Sequence, residues 1–401
     1  MKILFFIDIF GSSNFGGSIR VFYETAKMLI GEGHTIDVIC RTDGTTDVFT
    51  LKGANFYTYI DVSGNSFLRF AHYAKYCRKV FRKYINSNRP ELIMIHSSTS
   101  VMGLKKHLYR LKIPIIYVFH SPWAEEYKVI HGGEKMGASS KISYWLRKHH
   151  EAAYLGISCG IVTLSEYMKN LMLEIHPETA KIPIRVIPGG ADTEKFYPAE
   201  NPDEVIKIRE KLFLPQNKFI IITVRRLIRR TGIDILVRAF AEFIKKNSKD
   251  SCLVIVGQGS MTDELKKLVC DLNIEGKVIF TGFVGENELP YYYWASDLFV
   301  MPTRELEGFG LSTVESLACG LPVMGTNIGG TPEILSKISA KLLIEECSVK
   351  SIYEGLSKFI ELDTEDIAEI KKNSIEAVKS LYNWKRHVAE IVKFSQEISK
   401  P

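Results

Sequence analysis

Two carboxylates eight positions apart, Glu307 and Glu315, lie in the stretch densest in chemistry-bearing residues, PTRELEGFGLSTVESLACGLPVMGTNIGGTPEIL at 302–335. Gly308 and Gly310 between them favour a loop up to about Leu311, where apolar residues begin to recur at helical spacing. A helix starting there presents unpaired backbone N–H groups and the positive end of its dipole, which suits phosphate oxygens. Leu311 and Ser312 would supply those amides, with Phe309 and Gly310 forming the approach. Glu315, about one turn on, is placed to accept hydrogen bonds from a ribose diol, and Glu307 from a sugar hydroxyl. A lone glutamate near a helix start is more often a solvated acid complementing the dipole. The flanking glycines shift the balance toward a ligand.

The second ingredient is cationic. TVRRLIRRTG (223–232) puts Arg226 at the mouth of an apolar run, where a guanidinium can meet a diphosphate bidentately. SSNFGGSIR (12–20) follows the first apolar run, and Gly16 and Gly17 let backbone approach a ligand at a helix start. YVFHSPWAEEY (117–127) sets His120 just past a strand end, where a neutral or protonated imidazole can hydrogen-bond a sugar or an acceptor. Trp123, Glu125 and Glu126 would line the same side. VGQGS (256–260) is a glycine turn without the third glycine of a dinucleotide fingerprint, which weakens a dehydrogenase reading. FTGFV (280–284) offers Phe283 and Val284 as neighbours of a nucleobase, mainly through backbone groups, and packing alone explains the two almost as well. The chain has no D-x-D pair to hold a divalent ion on a diphosphate and no His/Cys cluster in its place. The expectation is chemistry without a metal or other cofactor, arginine and helix dipole doing the neutralising.

These residues need a frame that holds strand ends together. Short apolar runs alternate with helical patterns, the mark of parallel sheets covered on both faces. The first half supplies Ile3–Ile7, Thr35–Cys40, Leu92–His96, Ile113–Phe119, Gly160–Leu164 and Arg185–Ile187. The second restarts with Phe219–Val224, Cys252–Val256, Val278–Phe280, Leu298–Met301, Pro322–Gly325 and Lys341–Ile344. The Pro- and Gly-rich segment 188–204 separates them. The expected domains are therefore 1–190, a unit at 191–378, and a final helix at 379–401 packing back on the first. Ligands bind at the carboxyl ends of strands in such sheets, so the site is expected in a cleft between the domains.

Composition narrows the setting. Of 401 residues 46% are hydrophobic and 24% charged, which excludes a disordered chain. No apolar run approaches the roughly 20 residues of a spanning helix, and the start reads as a strand, not a signal peptide. The seven cysteines are scattered without a C-x-x-C pair, which fits a reducing cytoplasm. The net charge of +6 is uneven: residues 1–190 carry 24 Lys and Arg against 15 Asp and Glu, while the remainder carries 28 against 31. The first half is thus expected to meet something anionic, the candidates being nucleic acid, phospholipid and an anionic acceptor. Within it, 67–89 mixes Arg69, Lys75, Arg78, Lys79, Arg82 and Lys83 with aromatics at helical spacing. A helix whose aromatics enter the core is the favoured reading of that stretch, and an interfacial helix on anionic lipid the sharper one.

The stretch 307–333 resembles the E-x7-E region of retaining, nucleotide-sugar-dependent glycosyltransferases of the GT-B fold, family 4. Gly16-Gly17, GHTIDVIC (33–40), IPGGADTEKFYP (187–198), VRRL (224–227), VGQGS, FTGFV and ELPYYYWASDLFVMPT (288–303) agree with that family in order and position. The resemblance implies two doubly wound, Rossmann-like α/β domains facing across a cleft, the first on the acceptor side and the second binding the nucleotide sugar. It implies a hexosyltransferase using a UDP-sugar before a GDP-sugar, acting on a glycan, a lipid-linked saccharide or a small molecule. Such an enzyme would be cytoplasmic or peripheral at the inner membrane face, with no nucleic-acid partner. By the same resemblance Arg226 neutralises the leaving diphosphate, Gly17 contacts the donor, and His120 with Glu307 orients the sugar. Two departures stand out. The family often has Lys where this chain has Thr231, so Arg230 is the better candidate for a second cation. Many relatives have Glu where this chain has Ile19. A sugar-nucleotide epimerase of the same fold, and a basic nucleic-acid- or lipid-binding module, remain the alternative readings.

Overall fold

The computed structural model describes residues 1–9, 16–42, 51–61 and 66–399, apart from the side chains of Ile9, Ser66, Phe67 and Glu134. Strand β1 (Lys2–Ile9) contains an unbroken apolar run, and consecutive strand side chains point to opposite faces, so both faces have to be covered. Ile3, Phe5 and Ile7 enter one hydrophobic cluster, and Leu4 and Phe6 the other.

The chain forms two compact units, one of Met1–Gly189 with Trp384–Pro401 and one of Gly190–Asn383. In the first, β1 is followed by α1 (Gly17–Gly31), β2 (Thr35–Thr42), β3 (Ala54–Ile60), α2 (Ser66–Ser87), β4 (Leu92–Ile95) and α3 (Lys105–Leu111). Then come β5 (Ile115–Phe119), α4 (Trp123–Ile130), α5 (Ala138–Leu155), β6 (Gly160–Thr163), α6 (Glu166–Ile175) and β7 (Ile184–Val186). The seven strands pair in the order β3-β2-β1-β4-β5-β6-β7, all parallel. Helices α2, α3, α5 and α6 contribute to the cluster on one face, and α1 to that on the other.

The second unit runs α7 (Pro202–Lys211), β8 (Phe219–Val224), α8 (Ile233–Lys246), β9 (Ser251–Val256), α9 (Thr262–Asp271), β10 (Val278–Gly282), α10 (Leu289–Trp294) and β11 (Leu298–Met301). It continues with α11 (Leu311–Ala318), β12 (Val323–Thr326), α12 (Thr331–Leu335), β13 (Leu343–Ile344), α13 (Val349–Ile360) and α14 (Thr364–Leu381). Its six strands, again all parallel, are ordered β10-β9-β8-β11-β12-β13. The chain then returns to the first unit as α15 (Trp384–Ile398), where Val388, Ile391 and Phe394 join the cluster that holds α1.

The expected doubly wound α/β architecture is found in both units, with one strand that the apolar runs did not reveal. Strand β3 lies at the edge of its sheet, next to β2 alone, and most of its side chains are exposed or half-buried. ANFYTYI therefore needs no continuous apolar run. Among the described residues no helix is long and apolar enough to cross a membrane.

Candidate active site

A doubly wound sheet binds ligands beyond the carboxyl ends of its strands, at the point where strand order reverses. In the second unit that point is between β8 and β11, which are hydrogen-bonded neighbours although far apart in sequence. The loops leaving those strands are 225–232 and 302–310, the two segments singled out for Arg226 and Glu307. Together they carry five Arg against two Glu.

Adjacent residues leaving a strand point opposite ways, and Arg225 and Arg226 do so. Arg225 turns inward. It forms an ion pair with Glu307, donates from Nη1 to the Thr303 hydroxyl at 2.7 Å, and its side chain is 5% exposed. Arg226 is exposed. Burial lowers the pKa of Arg225, Glu307 opposes that shift, and the charges of Arg230 and Arg226 reinforce it, so three guanidiniums share one neighbourhood. Arg230 donates to the Leu306 carbonyl at 2.7 Å, while its own carbonyl accepts from the amides of Arg304 and Glu305. It thus holds the loop carrying Glu307. Thr231, which stands where the family often has lysine, is buried, and its hydroxyl donates to the carbonyls of Ile228 and Arg226. It shapes the turn and carries no charge.

Two glycines let these loops stack backbone against backbone. A Cβ on Gly232 would overlap the Pro302 carbonyl, and one on Gly257 the Arg225 carbonyl; both have positive φ, +71° and +129°. The VGQGS turn is therefore a support under the arginine loop. Beside it lies a cavity of about 530 Å³ whose lining includes Leu227, Gln258, Gly259, Thr262, Lys266, Phe280 and Thr281. That is within the size range of small-molecule sites. Phe283 and Val284 immediately follow its Gly282 rim, Phe283 exposed and Val284 half-buried.

Helix α11 begins at Leu311 with Gly310 as its N-cap at φ +87°, and Leu311 and Ser312 are half-exposed. The first amides of a helix lack intrahelical partners. Glu315 lies farther in than a surface acid would: it is 4% exposed and accepts from the Tyr293 hydroxyl at 3.3 Å. The ring of Phe309 is also buried, edge-on to Tyr382. As a contact for a ligand, Phe309 is thereby reduced to its backbone.

In the first unit the strand order reverses between β1 and β4. Ser12–Phe15 of the glycine loop lie outside the described residues. Gly16 caps α1, and Gly17, its first residue, is exposed. Ile19 is packed in the core beside Phe22, so the position that holds Glu in many relatives has become interior. His120, just past β5, is half-buried, and its Nε2 lies 3.0 Å from Nδ1 of His96, just past β4. His387 on α15 donates from Nδ1 to the Pro188 carbonyl at 2.8 Å.

Burial pushes His120 down to about 3, with the charge of His387 adding to the effect. Burial brings His387 to about 4 and holds His96 well below the ordinary range. Burial thus disfavours the charged form of all three imidazoles, and of the two forms considered for His120 it favours the neutral one. Its Nε2 faces His96, leaving Nδ1 for a ligand. Glu125 accepts from the Tyr144 hydroxyl and Glu126 from Ser121, so both carboxylates already have internal partners. Arg225, Thr303, Lys266 and His96 were not singled out from the sequence. The Arg225–Arg226 doublet was the one available signal, and which of the two turns inward is decided by strand register.

Against known proteins, the family model described as glycosyl transferases group 1 matches residues 204–377, and that of glycosyltransferase family 4 matches 15–195. The uncharacterized glycosyltransferase MJ1607 of Methanocaldococcus jannaschii is 25% identical over 92% of this chain and 90% of its own. The alpha-monoglucosyldiacylglycerol synthase of Streptococcus pneumoniae is 30% identical over 78% of this chain and 67% of its own. A GDP-mannose-dependent phosphatidylinositol monomannoside mannosyltransferase of Mycolicibacterium smegmatis is 32% identical over 41% of this chain and 44% of its own. Among solved structures, sucrose-phosphate synthase from Thermosynechococcus elongatus superposes with TM-score 0.82 at 20% identity, covering 99% of each chain. WaaG, a glycosyltransferase involved in lipopolysaccharide biosynthesis, superposes with TM-score 0.75 at 18% identity over the full length of both.

Proposed function

The chain belongs to glycosyltransferase family 4, and from that premise we propose that it moves a sugar from a nucleoside diphosphate sugar to an acceptor hydroxyl, with retention at the anomeric carbon. Its fold is the GT-B one, with two Rossmann-like parallel-sheet units. The observation that carries the reading is the cluster of Arg225, Arg226 and Arg230 at the β8/β11 reversal, on the loops that lead to the start of α11. A group with two permanent negative charges is what such a cluster accommodates.

In the transfer the bond between the anomeric carbon and the diphosphate breaks, its electron pair stays on the phosphate oxygen, and the acceptor oxygen takes the carbon while its proton passes to that phosphate oxygen. Arg226, Arg230 and the amides of Leu311 and Ser312 meet the growing charge on the diphosphate, so transfer needs no resident metal. The ion pair with Arg225 fixes Glu307 in place, where its carboxylate accepts from a hydroxyl of the moving sugar. Glu315 holds the ribose once it takes a diol in the place of the Tyr293 hydroxyl. The cavity beside Gly257 receives the base, with Phe283 and Val284 at its rim. Gly17 and the neutral His120 belong to the sugar and acceptor side. Electrostatic stabilisation of the leaving group then provides most of the acceleration.

The acceptor is a glycan, a lipid-linked saccharide or a small molecule, and the lipid-linked class has the most support. Two relatives carry diacylglycerol and phosphatidylinositol in their names, and the first unit carries the excess of basic residues. A peripheral position on an anionic membrane follows from the same charge.

A thermal-shift panel of UDP-, GDP- and ADP-sugars tests the donor, because a ligand that binds only the folded state raises the melting temperature. A UDP-sugar should give the largest rise. A rise with the GDP-sugar alone would replace the base, and no rise with any of them would defeat the donor reading. Donor supplied without acceptor should yield no isomerised sugar nucleotide; its appearance would make the protein an epimerase.

A further inference from the structure

Helix α5 is amphipathic twice over. One side carries Arg147, Glu151, Tyr154 and Leu155, all buried. Arg147 lies over the rings of Tyr127 and Trp123, 3.8 and 5.0 Å from their centroids, and Glu151 accepts from the Trp123 amide and pairs with His176. That side fastens the helix to the unit. The other side presents Ile142, Trp145 and Leu146, which are 61%, 54% and 50% exposed, and Ile130 at the end of α4 is 73% exposed. Side chains at positions 142, 145, 146 and 149 fall on one stripe of a helix, and Trp145 sits against the His149 ring with centroids 3.9 Å apart. Scattered single apolar residues are ordinary on a protein surface, but three within five positions on one helix stripe are not.

We propose that this stripe is the element by which the protein seats itself in the headgroup layer of an anionic lipid bilayer. The charge around it favours lipid over a second protein surface. Residues 127–150 contain five Lys and Arg and one acid, Glu134. Lys135 and Lys141 are exposed and Lys148 is half-buried, so long cationic stems flank the apolar stripe in the way that interfacial helices use them. The nearby carboxylates of Glu125 and Glu126 keep their charge but are half-buried, accepting from the Tyr144 and Ser121 hydroxyls, whereas Lys135 and Lys141 are exposed. Helix α2, the candidate from sequence, spends Tyr73, Phe81 and Tyr84 on the core. It contributes bases, and α5 contributes the residues that enter the lipid. Attachment requires neither donor nor acceptor, so it stands apart from the transfer reaction.

The test uses the whole protein with vesicles of phosphatidylcholine alone and of an equal mixture with phosphatidylglycerol. Trp145 is the one exposed tryptophan among the described residues, so its emission reports on the stripe. With anionic vesicles the emission should move to the blue and be quenched by brominated lipid, and Trp145→Phe should remove both effects. The triple variant Ile142→Ser, Trp145→Ser, Leu146→Ser should need at least about tenfold more vesicles for half-binding, since apolar area no longer leaves water. Its melting temperature and its turnover of a soluble acceptor should match wild type. Equal binding to neutral vesicles, unmoved Trp145 emission on bound protein, or a triple variant that binds like wild type would overturn the proposal. So would a concentration-dependent dimer that the triple variant abolishes. Vesicle binding through the stripe by a protein that no sugar nucleotide stabilises would uphold this proposal and sink the transfer reading.

Discussion

The two units share one strand logic and put opposite chemistry at the point where strand order reverses. In the second unit the loops beyond β8 and β11 carry permanent charge: Arg225 bound to Glu307, with Arg226 and Arg230 beside it. In the first unit the residues just past β4 and β5 are His96 and His120, joined ring to ring and kept neutral by burial. A diphosphate stays anionic from binding to release, so fixed guanidiniums suit it at every stage. An acceptor hydroxyl is neutral, and a neutral imidazole can orient it without competing for the diphosphate. Under the proposed function the contrast assigns two kinds of work, large electrostatic stabilisation to one unit and orientation to the other.

The contrast breaks first at Arg226. Arg226→Ala should lower kcat/KM by about 100- to 1,000-fold with the melting temperature unchanged, because an exposed residue contributes little to folding. Wild-type turnover by the pure, folded variant would remove permanent charge as the basis of the donor unit. His120→Ala should cost about tenfold in kcat, the size of one lost hydrogen bond near the reacting atoms. A loss as large as that from Arg226 would give the first unit an equal share in the chemistry and erase the distinction.

The smallest effect is on stability. His120, at about 3, and His387, at about 4, bind protons less readily when folded than when unfolded. The folded state is therefore favoured above the ordinary histidine range near pH 6.5, and that advantage is lost progressively as pH falls toward 4. Melting temperatures taken from pH 7 to pH 4.5 should decline, and His120→Gln should flatten part of the decline. Parallel curves for the two proteins would mean that the histidine pair does not couple to folding.

The sheets were readable from the chain because strands buried on both faces have to be apolar throughout, as Phe219–Val224 and Leu298–Met301 are. Edge strand β3 escaped because one row of its hydrogen-bonding groups has no neighbour and its side chains need not be buried. Glu307, Arg226 and the start of α11 were readable because glycine, charge and helix onset coincide within a few residues. Arg225 was not, since two consecutive arginines look alike until strand register sends one inward. His96 was equally hidden: its pairing with His120 joins strand ends 24 positions apart, and no local pattern announces it.

Helix α15 has a consequence for how the molecule comes off the ribosome. Val388, Ile391 and Phe394 occupy the hydrophobic cluster of the unit that is synthesised first, and the intervening unit, Gly190–Asn383, closes on its own residues. The leading unit must wait, with an oily groove open, until position 394 has left the exit tunnel. What is made first is finished last, and a nascent chain stalled short of that point would be the species most in need of a chaperone.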